Sequence, residues 1–540
     1  MSDEVTEPQD LPMTVAGALE RAARLFPEQE ALVDGETRLN FPQLLEAVDE
    51  AGRALMATGI ESGDRVAIWA QNIAEWVIAA SAVHRVGAVL VPLNTRFKGP
   101  EAAFILNNSQ ARLLFTVTDF LDTDYLELLG DRSLVPSIEE VIVMRGPLRE
   151  SSTSWAAFLD RASIVPPGAA AERASAIGPD DLCDILFTSG TTGAPKGAML
   201  QHRASVRAFW AWSTVVGVQE GDRYLIINPF FHAFGLKSGI LASFLKGATI
   251  VPHPIFDVPS VMARVEEERI TFLPGPPAIY QTILDHPDLG KFDLSTLRLA
   301  VTGAAAVPVE MIRRMREELT FRTIVTGYGL TEATGIATMC RYDDDPETIS
   351  QTAGRAIPDV EVRIIDPEGA PVASGIPGEV VIRGYVVMRG FFANPEATAE
   401  AIDPDGWLHT GDIGTLDENG NLRITDRIKD MFIVGGFNAY PAEIEGIMLG
   451  HPAINQIAIV GVPDHRMGEV GMAFVVLRPG MSISEAELVA WCREQMANYK
   501  VPRQIRFLAT LPMNASNKVL KYQLRDEAVA KSEIDPSASA

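Results

Sequence analysis

The chain has few of the features that mark secreted, membrane-spanning or metal-binding proteins. Its three cysteines, Cys183, Cys340 and Cys492, are far apart and lack metal-ligand spacing, so we expect free thiols in a reducing compartment. No run of about 18 apolar residues occurs, and the acidic first residues contain no apolar leader segment. These absences predict a cytoplasmic protein with no integral membrane segment.

Positive charge is also scarce. The chain has 46 Lys and Arg against 71 Asp and Glu, which gives a formal net charge of −25. Such a surface repels nucleic acids and anionic membranes, so we expect neither as a partner. A nucleotide can still bind, because it needs only a local positive cleft.

Strands and helices alternate in the first part of the sequence. Strand-like segments at residues 65–69 and 88–91 flank an apolar helical stretch at 74–85, and the alternation resumes at 141–144. This order predicts an α/β fold in which helices cover a mostly parallel sheet.

The pattern changes toward the end of the chain. Residues 378–383 predict a smaller β region, and later strand signals with a capping box at Ser484 predict a small α+β unit. A chain of 540 residues is too long for one hydrophobic core. We therefore expect a large N-terminal domain of layered α/β subdomains at 1–425, a boundary at 426–430 and a C-terminal domain at 431–540.

One loop has the composition of a phosphate-binding segment. Its glycines allow close backbone approach, its hydroxyls can donate hydrogen bonds, and its lysine adds positive charge. The residues are Thr188, Ser189, Gly190, Thr191, Thr192, Gly193, Ala194, Pro195, Lys196 and Gly197. The spacing differs from a Walker loop, and strand-like flanks predict a strand-loop-strand arrangement. The alternative is a surface turn rich in Gly, Ser and Thr.

Three further loops follow predicted strands. Residues 228–235 form a turn crowded with aromatic side chains and His232, and small or polar residues end the segments 297–306 and 323–332. Open α/β sheets bind ligands at the carboxyl ends of their strands. These loops are therefore candidate walls of one binding site.

In this order, these stretches resemble the adenylate-forming superfamily of acyl-CoA synthetases, peptide-synthetase adenylation domains and firefly-type luciferases over essentially the whole chain. The motifs that carry the resemblance are Thr188–Gly197, Tyr328–Glu332, Trp407–Asp412, Asp426-Arg427, Lys429, Gly435–Asn438 and Lys518. The resemblance implies that a carboxylic acid attacks the α-phosphate of ATP, pyrophosphate leaves, and a thiol then takes the acyl group. It implies ATP, Mg²⁺ and coenzyme A as cofactor and co-substrates.

The resemblance also assigns roles to single residues. Lys518 would place positive charge near the α-phosphate, and Glu332 with Thr188 would hold magnesium. The remaining ATP-binding residues implied are Ser189, Gly190, Thr191, Thr192, Gly193, Lys196, Gly303, Ala304, Ala305, Tyr328, Gly329, Thr331, Asp412 and Arg427. Taken singly, an Asp or Arg at a loop end is more often a surface charge or a helix cap.

Domain movement is a further implication of the resemblance. Lys429 matches the hinge of a mobile C-terminal domain, and Gly435 and Gly436 match the channel for the pantetheine arm of CoA. A glycine before the late lysine is usual in the family, whereas this chain has Asn517; asparagine tolerates a left-handed backbone. Lys521 is a rival for the role of Lys518, less favoured by position.

Local matches at 228–240, 273–280 and 431–438 resemble the CoA ligases of bacterial steroid breakdown, which activate the propanoate side chain of a bicyclic ring remnant. The acyl-pocket residues this implies are His232, Phe234, Lys237, Gly303 and Gly327. The family resemblance also implies a catalytic role for His232, at the aromatic position that shields the acyl carbonyl before the thiol enters; the alternative is an interior histidine with its hydrogen bonds satisfied. Lys237 lies in an apolar helix, where it either extends to solvent, which we favour, or faces a polar ring substituent.

Alternatives remain for the substrate and the acceptor. A medium-chain fatty or aryl acid is the main competing substrate, and a module that loads a carrier protein or an oxidative luciferase-like enzyme is the competing class. No carrier-attachment motif follows the C-terminal domain, which favours free CoA. A homodimer is compatible with the sequence and is not indicated by it.

Overall fold

The computed structural model describes residues 7–188, 195–303, 307–427, 430–434, 437–439, 441–464, 467–496, 498–513 and 519–532. The strands within them are β1 Glu30–Asp34, β2 Thr37–Asn40, β3 Arg65–Trp69, β4 Val89–Pro92, β5 Leu113–Val117, β6 Glu140–Arg145, β7 Thr153–Ser154, β8 Leu182–Thr188, β9 Lys196–Gln201, β10 Arg223–Ile226, β11 Thr249–Pro252, β12 Leu299–Gly303, β13 Thr323–Tyr328, β14 Thr338–Met339, β15 Arg355–Ala356, β16 Val360–Ile365, β17 Gly378–Gly384, β18 Leu408–Leu416, β19 Leu422–Arg427, β20 Phe432–Val434, β21 Phe437–Ala439, β22 Ile454–Asp464, β23 Gly468–Leu477 and β24 Gln504–Phe507.

The α-helices are α1 Val15–Leu25, α2 Phe41–Ala57, α3 Ala74–Arg85, α4 Gly99–Ser109, α5 Tyr125–Leu129, α6 Trp155–Asp160, α7 Ala169–Ser175, α8 His202–Val216, α9 Ala242–Lys246, α10 Val258–Glu268, α11 Pro277–Leu284, α12 Val309–Glu318, α13 Pro346–Gln351, α14 Pro395–Ala401, α15 Pro441–Met448, α16 Glu485–Gln495 and α17 Lys521–Ser532. Short 3-10 turns occur at Arg132–Leu134, Arg161–Ile164, Leu289–Lys291 and Thr331–Ala333, and a π-helix at Phe234–Leu241 leads into α9.

A seven-stranded sheet in the order β7-β6-β5-β3-β4-β8-β9 forms the first layer. All neighbours in it are parallel except β8 and β9, which are antiparallel. Its central strands are continuous apolar runs, because helices such as α3 bury them. The arrangement confirms the α/β fold expected from the alternating pattern.

A second layer is built from two four-stranded segments, ordered β10-β11-β1-β2 and β12-β13-β14-β15. Phe272 connects them, because it forms parallel bridges to Tyr224 of β10 and to Leu299 of β12. The carboxyl ends of the parallel strands β12 and β13 are in register, with Gly303 opposite Gly327. Both segments therefore end next to loops singled out in the sequence.

Two further sheets follow. One is ordered β16-β17-β18-β19, and the other β21-β20-β23-β22 with β24 beside β23. The long antiparallel pair β22 and β23 carries a separate hydrophobic core that includes Val460, Phe474 and Leu488. Helix α16 begins with the expected capping box of Ser484 and Glu487. The small α+β unit predicted near the end of the chain is confirmed.

The chain forms two compact units. The first comprises 1–362, 382–409 and 419–421, and the second comprises 363–381, 410–418 and 422–540. The boundary expected at 426–430 falls inside the second unit. The division at that boundary stays a prediction.

Two expectations about composition can be compared with the structure. The cysteines Cys183, Cys340 and Cys492 are free and buried, as the sequence indicates. None of the helices in the part of the chain that the structure describes is both long and apolar enough to cross a bilayer.

Candidate active site

The end of β8 brings together two residues that are 144 positions apart in the sequence. The Thr188 hydroxyl donates a hydrogen bond of 3.0 Å to Oε1 of Glu332, and both side chains are half-buried. A hydroxyl and a carboxylate are hard oxygen ligands of the kind that Mg²⁺ prefers, and Mg²⁺ typically takes one or two protein ligands and completes its shell with water and phosphate. These two side chains therefore fit the metal role expected of them.

The turn that carries Glu332 is fixed by its backbone. The Glu332 carbonyl accepts a hydrogen bond of 2.8 Å from the amide of Met388. Thr334 has a left-handed φ of 57° and donates through its hydroxyl to the Val386 carbonyl at 2.5 Å. A Cβ at Gly329 would lie 2.4 Å from the carbonyl oxygen of Gly335, so only glycine fits there. The tight turn thus holds Glu332 in place beside Thr188.

Glycines also line the ends of β12 and β13. A Cβ on Gly327 would lie 2.9 Å from the Thr338 carbonyl oxygen, and a Cβ on Gly303 would lie 3.2 Å from the Gly327 carbonyl oxygen. Tyr328 follows at the end of β13 and is half-buried. The two glycines are ladder partners, and Gly327 is also paired with Met339, so the strands pack closely where they end. An aromatic ring beside these strand ends suits a flat ligand.

Lys196 opens strand β9, directly across the ladder from Thr188. Its ammonium lies 5.4 Å from the centroid of the Phe391 ring. Strand β9 is held on its other side, where the Phe392 amide donates to the Gly197 carbonyl at 2.7 Å. Strands therefore flank the Gly-rich loop on both sides, as its neighbours in the sequence predict.

The aromatic turn after β10 presents His232. Its imidazole Nδ1 accepts a hydrogen bond of 3.2 Å from the Phe234 amide, so a neutral ring carries its proton on Nε2. The ring keeps access to solvent, yet the protein packed around it disfavours the charged form and lowers its pKa below 6.5. His232 is therefore a neutral polar group at an accessible surface near physiological pH.

The segment that follows is an apolar helix, as expected, and it is of the π type. Phe234 at its start lies edge-on to Trp212, with ring centroids 6.2 Å apart. A Cβ on Gly235 would lie 2.1 Å from the carbonyl oxygen of Pro229, so the turn can fold back on itself only with glycine there. π-helical turns widen a helix locally and occur frequently at functional sites.

Lys237 departs from its expected placement. Its side chain is 1% exposed and its ammonium pairs with Oδ2 of Asp184, so the interpretation that it extends to solvent is wrong. The Cys183 sulfur lies 3.5 Å from the same ammonium. The assignment of Lys237 to the acyl pocket stays a prediction, and a direct contact with a substrate would require its ion pair to break.

Asp184 and His84 have no role in the interpretation of the sequence, yet they complete this buried cluster. His84 Nε2 lies 2.9 Å from Oδ1 of Asp184, and the Cys183 thiol donates to Oδ2 at 2.8 Å. The nearby ammonium and imidazole hold the pKa of Asp184 below its ordinary value despite full burial, so it stays ionised. A charged residue within the apolar run of β8 is the signal that could have revealed it.

In the second unit, Asp412 and Arg427 are cross-strand partners of β18 and β19. Asp412 is 5% exposed, and its amide donates to the Thr410 hydroxyl at 3.1 Å. The pairing brings the two predicted ribose-binding positions side by side.

Several predicted site residues lie outside the part of the chain that the structure describes. They are Ser189, Gly190, Thr191, Thr192, Gly193, Ala304, Ala305, Lys429, Gly435, Gly436 and Lys518. Their roles stay predictions from the sequence.

Two family models match this chain. The model of AMP-binding enzymes covers residues 19–392, and that of the AMP-binding enzyme C-terminal domain covers 443–518. The matched regions contain three of the motifs on which the resemblance rests: Thr188–Gly197, Tyr328–Glu332 and Lys518. The other motifs, Trp407–Asp412, Asp426-Arg427, Lys429 and Gly435–Asn438, lie between the two matched regions.

Two curated relatives carry the same name, a 7a-methyl-1,5-dioxo-octahydro-1H-inden-4-yl propanoyl:CoA ligase. The protein from Rhodococcus jostii is 49% identical over 96% of this chain and 99% of the relative. The protein from Mycobacterium tuberculosis is 49% identical over 95% of this chain and 98% of the relative. A crystal structure of an anthranilate CoA ligase in complex with anthranoyl-AMP matches with a TM-score of 0.86 and 28% identity, and covers 98% of this chain and all of the other.

Proposed function

The chain belongs to the AMP-binding enzyme family, and we propose that it is an ATP-dependent acid:CoA ligase for the bicyclic, steroid-derived methylindanedione propanoate. The observation that carries the substrate is the 49% identity, across 96% of the chain, to a ligase named for this acid. The pairing of Thr188 with Glu332 supports the nucleotide chemistry.

The proposed reaction has two steps. The carboxylate of the acid attacks the α-phosphate of ATP, which forms the acyl-adenylate and releases pyrophosphate. The sulfur of CoA then attacks the acyl carbonyl, the thiol proton is lost, and AMP leaves. Activation is needed because a carboxylate has no good leaving group of its own, whereas AMP is a good one.

The residues of this chain would position the reactants for the first step. Glu332 and Thr188 would hold Mg²⁺, which when bound neutralises charge on the phosphate oxygens. The adenine would lie beside Tyr328, near Gly303 and Gly327 at the ends of β12 and β13. Asp412 would accept hydrogen bonds from the ribose hydroxyls, and Lys518 would stabilise charge at the α-phosphate.

The neutral imidazole of His232 suits a position beside the acyl carbonyl. A neutral ring at an accessible surface can shield the carbonyl and then move aside to admit the thiol. Its pKa below 6.5 favours the neutral form of the ring that this position requires.

Mutagenesis separates the two steps. Lys518→Ala is expected to slow acyl-adenylate formation by about 2 to 4 kcal/mol of barrier, measured by ATP–pyrophosphate exchange, while thioester formation from a supplied acyl-adenylate continues. Lys521→Ala, the rival lysine, is the matched control. An exchange rate equal to that of the unchanged enzyme in Lys518→Ala would contradict the assignment.

The substrate is tested with a panel of acids. Exchange and CoA-thioester formation are measured with the bicyclic keto acid, octanoate and an aryl acid such as ferulate, and with CoA or a carrier protein as acceptor. We expect the highest kcat/KM for the bicyclic acid and CoA. A higher value for octanoate or ferulate would overturn the substrate, and transfer only to a carrier protein would overturn the acceptor.

We place the reaction in the cytoplasm, where free thiols persist, as the three buried cysteines require no oxidising compartment.

A further inference from the structure

The aromatic turn that presents His232 and the π-helix after it form a segment, residues 228–241, that buried polar side chains anchor at two places. At its beginning, Asn72 donates to the carbonyls of Ile226 and Asn228 at 3.0 Å each and accepts from the Phe230 amide at 2.9 Å. In the π-helix, Lys237 pairs with Asp184 of β8. The exposed imidazole lies between these two anchors.

Helix α3 connects the two anchors. Asn72 lies just before helix α3, and His84 lies in its last turn, where it contacts Asp184. A helix of 12 residues spans about 18 Å, so α3 reaches from one anchor to the other. Strand β8 carries Asp184 and ends at Thr188, four residues further along.

Stability alone does not account for this ion pair. Asp184 is 0% and Lys237 1% exposed, and the desolvation of two buried charges typically cancels most of their attraction. A well-packed apolar pair of similar volume would fill the same space without that penalty. The pair does, however, fix one arrangement of the π-helix relative to β8, because a hydrogen-bonded ion pair has fixed partners and a direction. An apolar contact has neither.

The position of the pair indicates what is being fixed. Lys237 is five residues after His232 and three after Phe234, inside the π-helical segment. Asp184 is on the strand that delivers Thr188 to Glu332. The ion pair therefore joins the wall that carries His232 to the strand that carries the nucleotide-site hydroxyl.

We propose that Asp184 and Lys237 are positioning residues, whose buried ion pair holds the aromatic turn and the π-helix, residues 228–241, in register with β8 and so fixes the place of the acid relative to ATP. This inference rests on the proposed ligase function. Both side chains are buried, so the pair would act through the wall that it holds and not by contact with the reacting atoms. Its loss should therefore weaken the use of the acid and leave the affinity for ATP unchanged.

Two neutral double variants test the proposal. In Asp184→Asn/Lys237→Gln, two amides of similar volume can still form a hydrogen bond, whereas in Asp184→Asn/Lys237→Met they cannot. We call these the bonding and the non-bonding variant. Both remove the buried charges, so a difference between them reports the link rather than the charge.

The first readout does not need catalysis. We expect amide hydrogen exchange in residues 228–241 to be faster in the non-bonding variant than in the bonding variant and the unchanged protein, with 454–464 in the second unit as internal control. The second readout is kinetic. The KM for the acid should rise by about tenfold or more in the non-bonding variant, while the bonding variant restores it and the KM for ATP stays constant.

Other outcomes overturn the proposal. Equal exchange at 228–241 in both variants would show that the bond does not fix the turn. Unfolding of both variants would make the cluster a requirement of the core and not of the site. An inactive unchanged enzyme would contradict the proposed function, whereas the exchange measurement would still decide the positioning role.

Discussion

Strand β8 carries two polar residues four positions apart that have opposite surroundings. Asp184, in the middle, is fully buried and receives hydrogen bonds from an imidazole, an ammonium and a thiol. Thr188, at the end, is half-buried and donates one hydrogen bond to the equally half-buried Glu332. The inner carboxylate is saturated by protein groups, while the outer pair has lone pairs that a ligand can use. The difference separates a residue whose partners are all protein groups from the two residues proposed to meet the substrate.

Breaking the inner pair alone should have the largest effect on stability. Lys237→Met leaves the Asp184 carboxylate buried without its cation, which typically costs about 3 to 5 kcal/mol in the free energy of unfolding. Urea unfolding measures it. The matched control is Lys246→Met, because Lys246 is a half-buried lysine of the next helix that bonds the Thr214 hydroxyl and lies over the Trp210 ring. A loss no larger than that of the control would remove the distinction between the two ends of β8.

Changing the outer pair should affect chemistry instead. Glu332→Gln keeps the shape but removes the charge that suits Mg²⁺, and we expect adenylation to slow by about 10²- to 10³-fold with the free energy of unfolding nearly constant. ATP–pyrophosphate exchange measures the rate, and Glu347→Gln, an exposed residue, is the control. If Glu332→Gln unfolds the protein while the adenylation rate per folded molecule is normal, Glu332 contributes to stability, as the buried Asp184 does, and not to the chemistry.

The pH dependence of stability tests the interior next to Asp184. His202 is fully buried, and desolvation, with His84 and Lys237 nearby, lowers its pKa from 6.5 to about 3. The unfolded chain then binds the extra proton first as pH falls, so the contribution to stability is complete above pH 6.5 and is lost progressively toward pH 3. Between pH 7 and pH 5 the loss is about 2 kcal/mol.

The matched measurement is urea unfolding of the unchanged protein and His202→Gln at several pH values. The variant should lose stability less steeply over that interval, whatever its absolute stability. Parallel curves would show that His202 titrates normally in the folded protein.

The smallest effect concerns the thiol beside Asp184. Cys183 is fully buried, and burial together with the adjacent carboxylate raises its pKa to about 12, so the reactive thiolate is scarce. We expect iodoacetamide not to alkylate Cys183 in the folded protein, which mass spectrometry measures. The ligase activity of the treated protein should also stay unchanged. Rapid labelling of Cys183 without urea would show that the interior of β8 opens.

The fold could be inferred from local patterns because each depends on nearby residues. The alternating strands and helices predicted the α/β layers, and the capping box predicted the start of α16 at Glu485. The π-helix at Phe234–Leu241 could not be inferred, because an apolar run with Gly235 does not distinguish a widened helix from an ordinary one.

Lys237 shows the same limit at the site. Its apolar neighbours in the sequence are compatible with a lysine side chain that extends to solvent. Only the fold brings Asp184, 53 positions earlier, to its ammonium. Thr188 and Glu332 were linked only through resemblance to a family whose motifs occur in this order; the structure shows their hydrogen bond, and their shared magnesium role stays a prediction.

By itself the sequence determined the types of the elements and the family, because periodicity, capping and motif order are local or cumulative signals. Only the tertiary structure decided which polar residues are buried with partners of their own and which remain half-buried at the end of a strand. That choice depends on burial and on partners far apart in the chain: Asp184 has its charge matched inside the core, while Thr188 and Glu332, on strands and turns 144 positions apart, meet where the sheet ends.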